Sequence, residues 1–384
     1  NSALNEPTNA ESDETTQPAD KKGAGVAEER SRIATNLYKS CRQRGFPVEE
    51  PVAESIEVGP TLISIPMVLE SGASINPIES SLEDLSREVG VKSISVENDP
   101  ERDYHIRFLV ARKSREYIEL PEVSPKLSGP DRKSYFGLHI GVGLKREGYK
   151  SFLSEWPHML VGGSTGSGKT TFLKSLLIQL KRIPPKKVNM VIIDGKNEVD
   201  YLNIIEQNSK HLHSKFPKVL LGSENALDVL EWLVEEEIQN RKKKLRSVVR
   251  EKSNSSDAKS MFIETVNSSE PTPFQPLVVV IDEFSELMLR GGQEASQFED
   301  FVQSVAQAGR STLVHLIMAT QRPEASIVKG SIKANLNTRA AFRVPTHHDS
   351  MTILGGKGAD ELLGNGDMIF RQGGENIRLQ GYNV

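Results

Sequence analysis

Residues 163–170 read Gly-Ser-Thr-Gly-Ser-Gly-Lys-Thr, an order of residue types that suits the binding of nucleotide phosphates. Glycines let a loop curl around phosphate and point backbone N–H groups inward. Lys169 can neutralise the β- and γ-phosphates, and the Thr170 hydroxyl can ligate magnesium. The pattern predicts a P-loop for ATP and Mg²⁺, whose contact residues are Gly163, Ser164, Thr165, Gly166, Ser167, Gly168, Lys169, Thr170 and Thr171.

Two acids follow a second apolar run, Leu277–Ile281, and have the types needed for ATP hydrolysis. An acid at the end of such a strand holds the magnesium shell in P-loop enzymes, which predicts that role for Asp282 beside Thr170. An adjacent glutamate can polarise the attacking water, which predicts Glu283 as the general base. The alternative is that both acids only end a strand, and the P-loop upstream argues against it.

Gln321 ends another predicted strand. A polar side chain there, beside the strand that ends in two acids, can sense the γ-phosphate. The alternative is a simple turn before Pro323.

These residues need a parallel sheet to position them. In residues 133–384, short apolar runs alternate with helical segments such as Thr171–Leu180, as in α/β domains with crossover helices. The predicted strands are Met159–Gly162, Val188–Asp194, Leu277–Asp282, His315–Thr320, Thr338–Val344 and Met368–Phe370. Ser253–Pro276, rich in Ser, Asn and Pro, is predicted to be a mobile loop.

A smaller α/β domain is predicted over residues 51–127. Strands are expected at Thr61–Leu69, Ser93–Glu97 and His105–Val110, and Asn76–Val89 has apolar residues at helical spacing. Residues 31–50 are predicted to be a short helical lead-in. Residues 1–30 are acidic and lack aromatic residues, so we expect a disordered tail or linker.

The bulk composition limits the classes of protein. The 384 residues suggest two domains, and 37% hydrophobic with 26% charged residues is an ordinary soluble composition. A net charge of −4 excludes a uniformly basic nucleic-acid binder, so any DNA-binding surface must be local. Cys41 is the only cysteine, which excludes an intrachain disulfide and fits a reducing cytosol.

No apolar run approaches the roughly 18–20 residues of a membrane helix. We expect a cytoplasmic protein. The chain begins with Asn1 rather than Met, and we interpret it as a fragment whose missing segment could anchor the parent.

Several motifs after the P-loop together resemble those of one family. They are VVVIDEFS at 278–285, AQAGR at 306–310, HLIMATQRP at 315–323, IKANLNTR at 332–339, DSMTIL at 349–354 and LLGNGDM at 362–368. In order and spacing, from about Pro51 to the C-terminus, the chain resembles the FtsK/SpoIIIE family of hexameric double-stranded DNA translocases. The resemblance implies a RecA-like P-loop core over 133–384, preceded by the family's small α/β subdomain.

The resemblance also implies a homohexameric ring around duplex DNA, with ATP at the subunit boundaries. Arg310 matches the family's arginine finger, which would stabilise the transferring phosphoryl group in a neighbouring subunit. Arg322 and Lys333 lie in the segment that resembles the pore loop and are the candidates for contacts with DNA phosphates. His347 and Met351 stand where family motors often carry basic residues.

Three uses of such a motor stay open. The first is a DNA translocase for chromosome or plasmid movement. The second is the FtsK-like subunit of a bacterial DNA-defence or phosphorothioation-dependent restriction system, working with other subunits. The third is a type VII protein-secretion ATPase, whose peptide substrate needs no basic pore.

The basic run at 241–246, Arg-Lys-Lys-Lys-Leu-Arg, has two interpretations. It is either an exposed helix with Glu–Lys pairs, or a basic strip that faces DNA or a neighbouring subunit.

Overall fold

A computed structural model of the chain describes residues 19–99, 102–103, 105–123, 126–128, 134–196, 200–251 and 274–384. Their contacts form two compact units, a smaller one of 19–58 and 63–110 and a larger one of 59–62 and 111–384. This division comes earlier than the expected boundary at 127–133. The reason is that the segment after Val110 bonds within the larger unit, where Leu120 N donates to the Asn383 carbonyl at 2.9 Å.

The smaller unit is a four-stranded sheet covered by helices. Its elements are α1 (Ala19–Gln43), β1 (Glu57–Val58), β2 (Leu62–Val68), α2 (Asn76–Glu79), α3 (Leu82–Val89), β3 (Ile94–Asn98) and β4 (His105–Ala111). The strand order is β1-β2-β4-β3. Ile33 and Leu37 of α1 join Ile63 and Phe108 of the sheet in one buried core.

Two expectations for this region differ from the structure. Helix α1 begins at Ala19, so residues 19–30 are helical rather than part of a disordered linker, and residues 1–18 lie outside the described residues. The Ala, Glu, Lys and Arg of this stretch favour helix, and the buried face of α1 supplies the anchor. The helix predicted over 76–89 is interrupted at Ser80 and Ser81, whose hydroxyls bond to the carbonyl of Pro77 at 3.0 Å.

The larger unit contains eleven strands and seven helices within the described residues. They are β5 (Lys126–Ser128), β6 (Tyr135–Val142), β7 (Gly148–Phe152), β8 (His158–Gly162), α4 (Lys169–Lys181), β9 (Asn189–Asp194), β10 (Leu220–Leu221), α5 (Asn225–Trp232), α6 (Ile238–Glu251), β11 (Leu277–Asp282), α7 (Ser285–Arg290), α8 (Gly292–Thr312), β12 (Val314–Thr320), α9 (Gly330–Asn335), β13 (Thr338–Phe342), α10 (His347–Leu354), β14 (Asp367–Gln372) and β15 (Glu375–Gln380). A π-helical turn, Leu233–Glu237, joins α5 to α6.

The strands form one sheet in the order β10-β9-β11-β12-β8-β13-β14-β15-β6-β5, with β7 paired to β6. The pairs from β10 to β13 are parallel and the pairs from β13 onward are antiparallel. All six predicted strands are confirmed to within two residues at each end. Most of the Ser253–Pro276 segment, predicted to be a mobile loop, lies outside the described residues.

The parallel strands are buried on both faces, which is why their sequences are continuously apolar rather than alternating. Along β11, Val278 and Val280 face one core, which includes Phe172 and Leu176 of α4. Val279 and Ile281 face the other core, which includes Phe298 and Val302 of α8. The confirmed fold is therefore an α/β layer structure with one large sheet, which is parallel from β10 to β13. Within the described residues, no helix has both the length and the apolarity to cross a membrane.

The basic run on α6 divides between core and surface. Arg241 is buried, with its Nε 2.7 Å from Glu237 and its Nη1 2.9 Å from the Thr312 carbonyl at the end of α8. Its guanidinium also lies 4.6 Å from the centre of the Phe274 ring. Lys243 is exposed. The reading of the whole run as an exposed helix was therefore wrong at Arg241, which ties α6 to α8.

Replacing Arg241 with alanine should destabilise the larger unit by about 3 kcal/mol, because Glu237 and the Thr312 carbonyl would lose their buried partner. Urea unfolding followed by circular dichroism measures this loss. The matched control is Lys243→Ala, which removes the same charge from the same helix at an exposed position and should cost under about 0.5 kcal/mol. Equal stability of the two variants would contradict the anchoring role of Arg241.

Candidate nucleotide-binding site

The P-loop follows β8, the strand between β12 and β13, and both neighbours hold its first residues. The backbone N–H of Gly163 donates to the Thr320 carbonyl at 3.3 Å. The N–H and the hydroxyl of Ser164 both donate to the Arg343 carbonyl at 2.9 Å. The loop therefore leaves the carboxyl edge of the sheet in a fixed direction and enters α4 at Lys169.

Glycine is required at position 168 for two reasons. Its φ of 107° lies in the left-handed region, and a Cβ there would lie 2.4 Å from the backbone nitrogen of Gly366. That nitrogen donates to the Ser167 carbonyl at 2.8 Å. The turn before β14 is thus packed directly against the P-loop.

Lys169 and Asp282 form a buried ion pair, with about 2% and 3% of their side chains exposed. The second carboxylate oxygen of Asp282 accepts a hydrogen bond from the Tyr201 hydroxyl. Burial, with the nearby charge of Asp282, holds the pKa of Tyr201 well above its usual range, so Tyr201 keeps the proton that it donates. A nucleotide in the loop would compete with Asp282 for the Lys169 ammonium.

Glu283 is held against the end of β12. Its backbone is left-handed, with a φ of 70°, which is uncommon for a residue with a Cβ. Its carboxylate accepts hydrogen bonds from the Thr320 hydroxyl at 3.0 Å and from the Gln321 backbone N–H at 2.8 Å. The orientation of Glu283 therefore depends on the end of the neighbouring strand.

Gln321 joins this arrangement to the P-loop. Its side-chain oxygen accepts a hydrogen bond from the Thr165 hydroxyl at 2.9 Å, while its backbone holds Glu283. One residue thus contacts both the loop expected to hold phosphates and the acid expected to activate water. A cavity of about 390 Å³ lies in front of Gln321, within the size range of small-ligand sites. Its walls include Ser164, Gly166, Gly168, Lys169, Thr170 and Thr171.

The residues predicted to hold magnesium fit that ion. Thr170 lines the cavity, and the Asp282 carboxylate lies beside Lys169 at the start of the same helix. Both offer oxygen, the donor that magnesium prefers, and magnesium usually takes only one or two protein ligands beside phosphates and water. Bound there, it would neutralise phosphate charge.

Sequence reasoning missed part of the site. Tyr201 and Thr320 position the two acids, and only their contacts show it. The side of the cavity opposite the P-loop was missed as well, and its lining residues are Tyr117, Asn365, Gly366, Gln380, Gly381, Tyr382 and Asn383. The glycine-rich turn 364–366 was the one available signal, since glycines mark close backbone approaches.

The sequence profile of the FtsK/SpoIIIE family matches residues 127–325, more than half of the chain. The chain belongs to the FtsK/SpoIIIE family. A curated relative, the DNA translocase FtsK of Caulobacter vibrioides, is 30% identical over 390 aligned positions that cover 93% of the chain. The chain spans 46% of that relative's length.

Solved structures support the fold of this FtsK/SpoIIIE-family chain. The pCW3 conjugation coupling protein TcpA, a monomer with ATPγS, superposes with a TM-score of 0.55 at 21% identity, covering 93% of this chain and 95% of its own. The cytoplasmic domain of the Thermomonospora curvata type VII secretion ATPase EccC gives 0.54 at 23% identity, covering 69% and 30%. At these identities the likeness concerns the fold alone.

Arg310 lies at the amino edge of the sheet, where the parallel strands begin. The P-loop lies at the carboxyl edge, where these strands end. Arg310 is exposed near the end of α8, and a Cβ on the preceding Gly309 would lie 2.6 Å from His158, the first residue of β8. The P-loop begins after the last residue of β8, about 16 Å further along the strand. Arg310 therefore cannot reach the phosphates bound by its own chain.

The two candidate DNA contacts are not brought together by any contact among the described residues. Arg322 is exposed and directly follows Gln321 at the carboxyl edge. Lys333 is half-buried in α9, on the connection that returns to the amino end of β13. His347 and Met351 lie on α10 and are exposed. Arg322 is thus the candidate nearest to the nucleotide site.

Substitutions of Lys169 and Glu283 should separate binding from turnover. Lys169→Ala should abolish tight ATP binding, because it removes the charge that faces the β- and γ-phosphates. Glu283→Gln should keep ATP binding and lose hydrolysis by a factor of about 10² or more, because the amide cannot accept a proton. Equilibrium binding of a fluorescent ATP analogue and phosphate release measure the two effects. Equal turnover in Glu283→Gln and the parent would refute the role of Glu283.

Proposed function

We propose that this chain is the motor of an ATP-driven double-stranded DNA translocase. The observation that carries the proposal is the position of Arg322. This exposed cation directly follows Gln321, which bonds to both the P-loop and Glu283. Arg322 is adjacent in sequence to Gln321, so a duplex phosphate bound by Arg322 would lie close to the groups expected to hydrolyse ATP. Membership of the FtsK/SpoIIIE family supports the same reading.

The chemistry proposed for the site is hydrolysis of the γ-phosphate. The P-loop amides and Lys169 would hold the phosphate chain, and Thr170 and Asp282 would hold magnesium. Glu283 accepts a proton from a water whose oxygen forms a bond to the γ-phosphorus, and the bond from that phosphorus to the β–γ bridging oxygen breaks. ADP and inorganic phosphate leave. Gln321 senses whether the γ-phosphate is present through its bond with Thr165.

We propose assembly into a ring, a homohexamer as the family resemblance implies, and the position of Arg310 supports it. An arginine that stabilises phosphoryl transfer must touch the transferring group, and Arg310 is at the wrong edge to touch its own. A neighbouring subunit that presents its α8 end to the nucleotide cavity would supply the missing charge. We propose that ATP sits at such boundaries and that Arg310 acts in trans.

DNA binding by this chain is proposed to depend on contacts with the phosphates. Because the net charge of the chain is −4, only a few locally positioned basic residues can attract DNA. Contacts with phosphates do not depend on the base sequence. Arg322 and Lys333 are the cations proposed for these contacts, and both lie in the segment that resembles the family's pore loop. The secretion-type alternative requires no such contacts, and EccC supports it by fold alone. Duplex-stimulated ATP hydrolysis decides between the two, and its absence would favour secretion. The restriction-system alternative shares the motor.

Removing the Arg322 charge should weaken duplex binding about equally for all sequences and lower the slope of log affinity against log salt by about 0.9. Lys333→Ala should do the same, while basal ATP hydrolysis stays near the parent value. Fluorescence anisotropy with two unrelated duplexes at several salt concentrations measures this. The control is Lys186→Ala, an exposed lysine before the amino end of β9. Salt slopes that match this control would remove Arg322 and Lys333 from the DNA path.

Mixed rings should test Arg310. Rings made only of Arg310→Ala or only of Lys169→Ala subunits should be nearly inactive, since loss of a finger costs on the order of 10³–10⁵ in rate. Mixing them should restore part of the activity, at boundaries where an intact Lys169 meets an intact Arg310. No recovery in rings shown by native mass spectrometry to contain both variants would refute a role in trans.

A further inference from the structure

The nucleotide cavity extends beyond the P-loop to a wall built from two chain segments. The segment 117–120 runs beside the last residues of the chain, where Leu120 N donates to the Asn383 carbonyl at 2.9 Å and Asn383 N donates to the Ile118 carbonyl at 2.8 Å. The Asn383 side chain also donates to Glu119 at 2.7 Å. We name these paired segments, 117–120 with 380–383, the far wall.

The far wall has a fixed position relative to the P-loop. The backbone N–H of Gly381 donates to the Gly366 carbonyl at 2.7 Å, and Gly366 N donates to the Ser167 carbonyl at 2.8 Å. Tyr382 is buried, packs with Leu120, and lies edge-on to His139 with the ring centres 6.0 Å apart. Two short backbone links therefore connect the far wall to the phosphate loop.

The side chains on this side of the cavity suit an aromatic heterocycle better than a phosphate. Tyr117 is a large ring with 52% of its surface exposed, and it lines the cavity. Asn365 places an exposed amide at the same cavity from a left-handed backbone with φ of 53°. The Gln380 Oε1 is buried and has no hydrogen-bond partner among the described residues. None of these groups carries a positive charge, whereas Lys169 lies on the P-loop side, so the charge that favours phosphate is on the other side of the cavity.

We propose that Tyr117 stacks on the nucleobase of the bound nucleotide and that the Asn365 amide reads the base edge. The proposal rests on the assignment of the P-loop as an ATP site and names what selects the base there. A nucleotide whose phosphates contact Lys169 and which extends past Thr171 would place its base at this wall. Base–aromatic stacking is tolerant of sequence, so Asn365, rather than Tyr117, carries the choice between adenine and guanine.

The test compares two ligands, MgATP and magnesium tripolyphosphate, which has the phosphates but no base. Tyr117→Ala should weaken ATP binding about tenfold, as loss of one stacked ring does, and leave tripolyphosphate affinity unchanged. Tyr117→Phe, which keeps the ring, should bind ATP as the parent does. Calorimetry measures both ligands, and unchanged tripolyphosphate binding also shows that the variant is folded. Leu289→Ala, an exposed apolar residue on α7, is the control.

Two outcomes would overturn the base site. If Tyr117→Ala loses affinity for both ligands equally, Tyr117 only supports the loop, and if it loses neither, Tyr117 does not contact the nucleotide. Lys169→Ala should lose both ligands, and its failure to do so would refute the P-loop assignment separately.

Asn365→Gly removes the amide while glycine accepts the left-handed backbone. It should bring the ratio of ATP to GTP affinity several-fold closer to one. An unchanged ratio would exclude Asn365 from base recognition.

Discussion

The buried ion pair between Lys169 and Asp282 links two strands that are not neighbours, β8 and β11. Strand β12 lies between them, so its last residues occupy the space between the phosphate loop and the acids. Thr320 and Gln321 fill this space with hydrogen bonds to Glu283, and Gln321 also reaches Thr165. The strand order therefore makes one short segment contact both the loop proposed to bind phosphate and the acid proposed to activate water. Arg322 is the next residue along that segment.

The two edges of the same parallel sheet have different roles. The groups proposed to bind nucleotide collect at the carboxyl edge, where the loops after β8, β11 and β12 meet, as in other open α/β sheets. Arg310 lies at the amino edge because helix α8 must return there before β12 begins. A single chain cannot bring this arginine to its own site. The separation of the two edges gives the proposed ring a physical reason, because a neighbouring subunit can bring them together.

The antiparallel half of the sheet completes the cavity. Strands β14 and β15 carry the turn at Gly366 and the far wall to the P-loop, and Gly168 allows the close approach. A side chain at either glycine would push this wall away from the phosphates. The proposed recognition of the base thus depends on the last residues of the chain as well as on the P-loop.

The sequence by itself determined the P-loop, the strand that ends at Asp282 just before Glu283, and five other strands of the sheet. These features are local: a loop needs its glycines, and strands buried on both faces need continuous apolar runs. Half-exposed strands such as β7 and β15 have no such run, and sequence reasoning missed them. Only the tertiary structure decided that Arg241 is buried, that Tyr201 and Thr320 hold the acids, and that Glu119 pairs with Asn383. The bond between Glu283 and Thr320 joins residues 37 positions apart, and the bond between Glu119 and Asn383 joins residues 264 positions apart. Local sequence patterns carry no record of pairings at such separations.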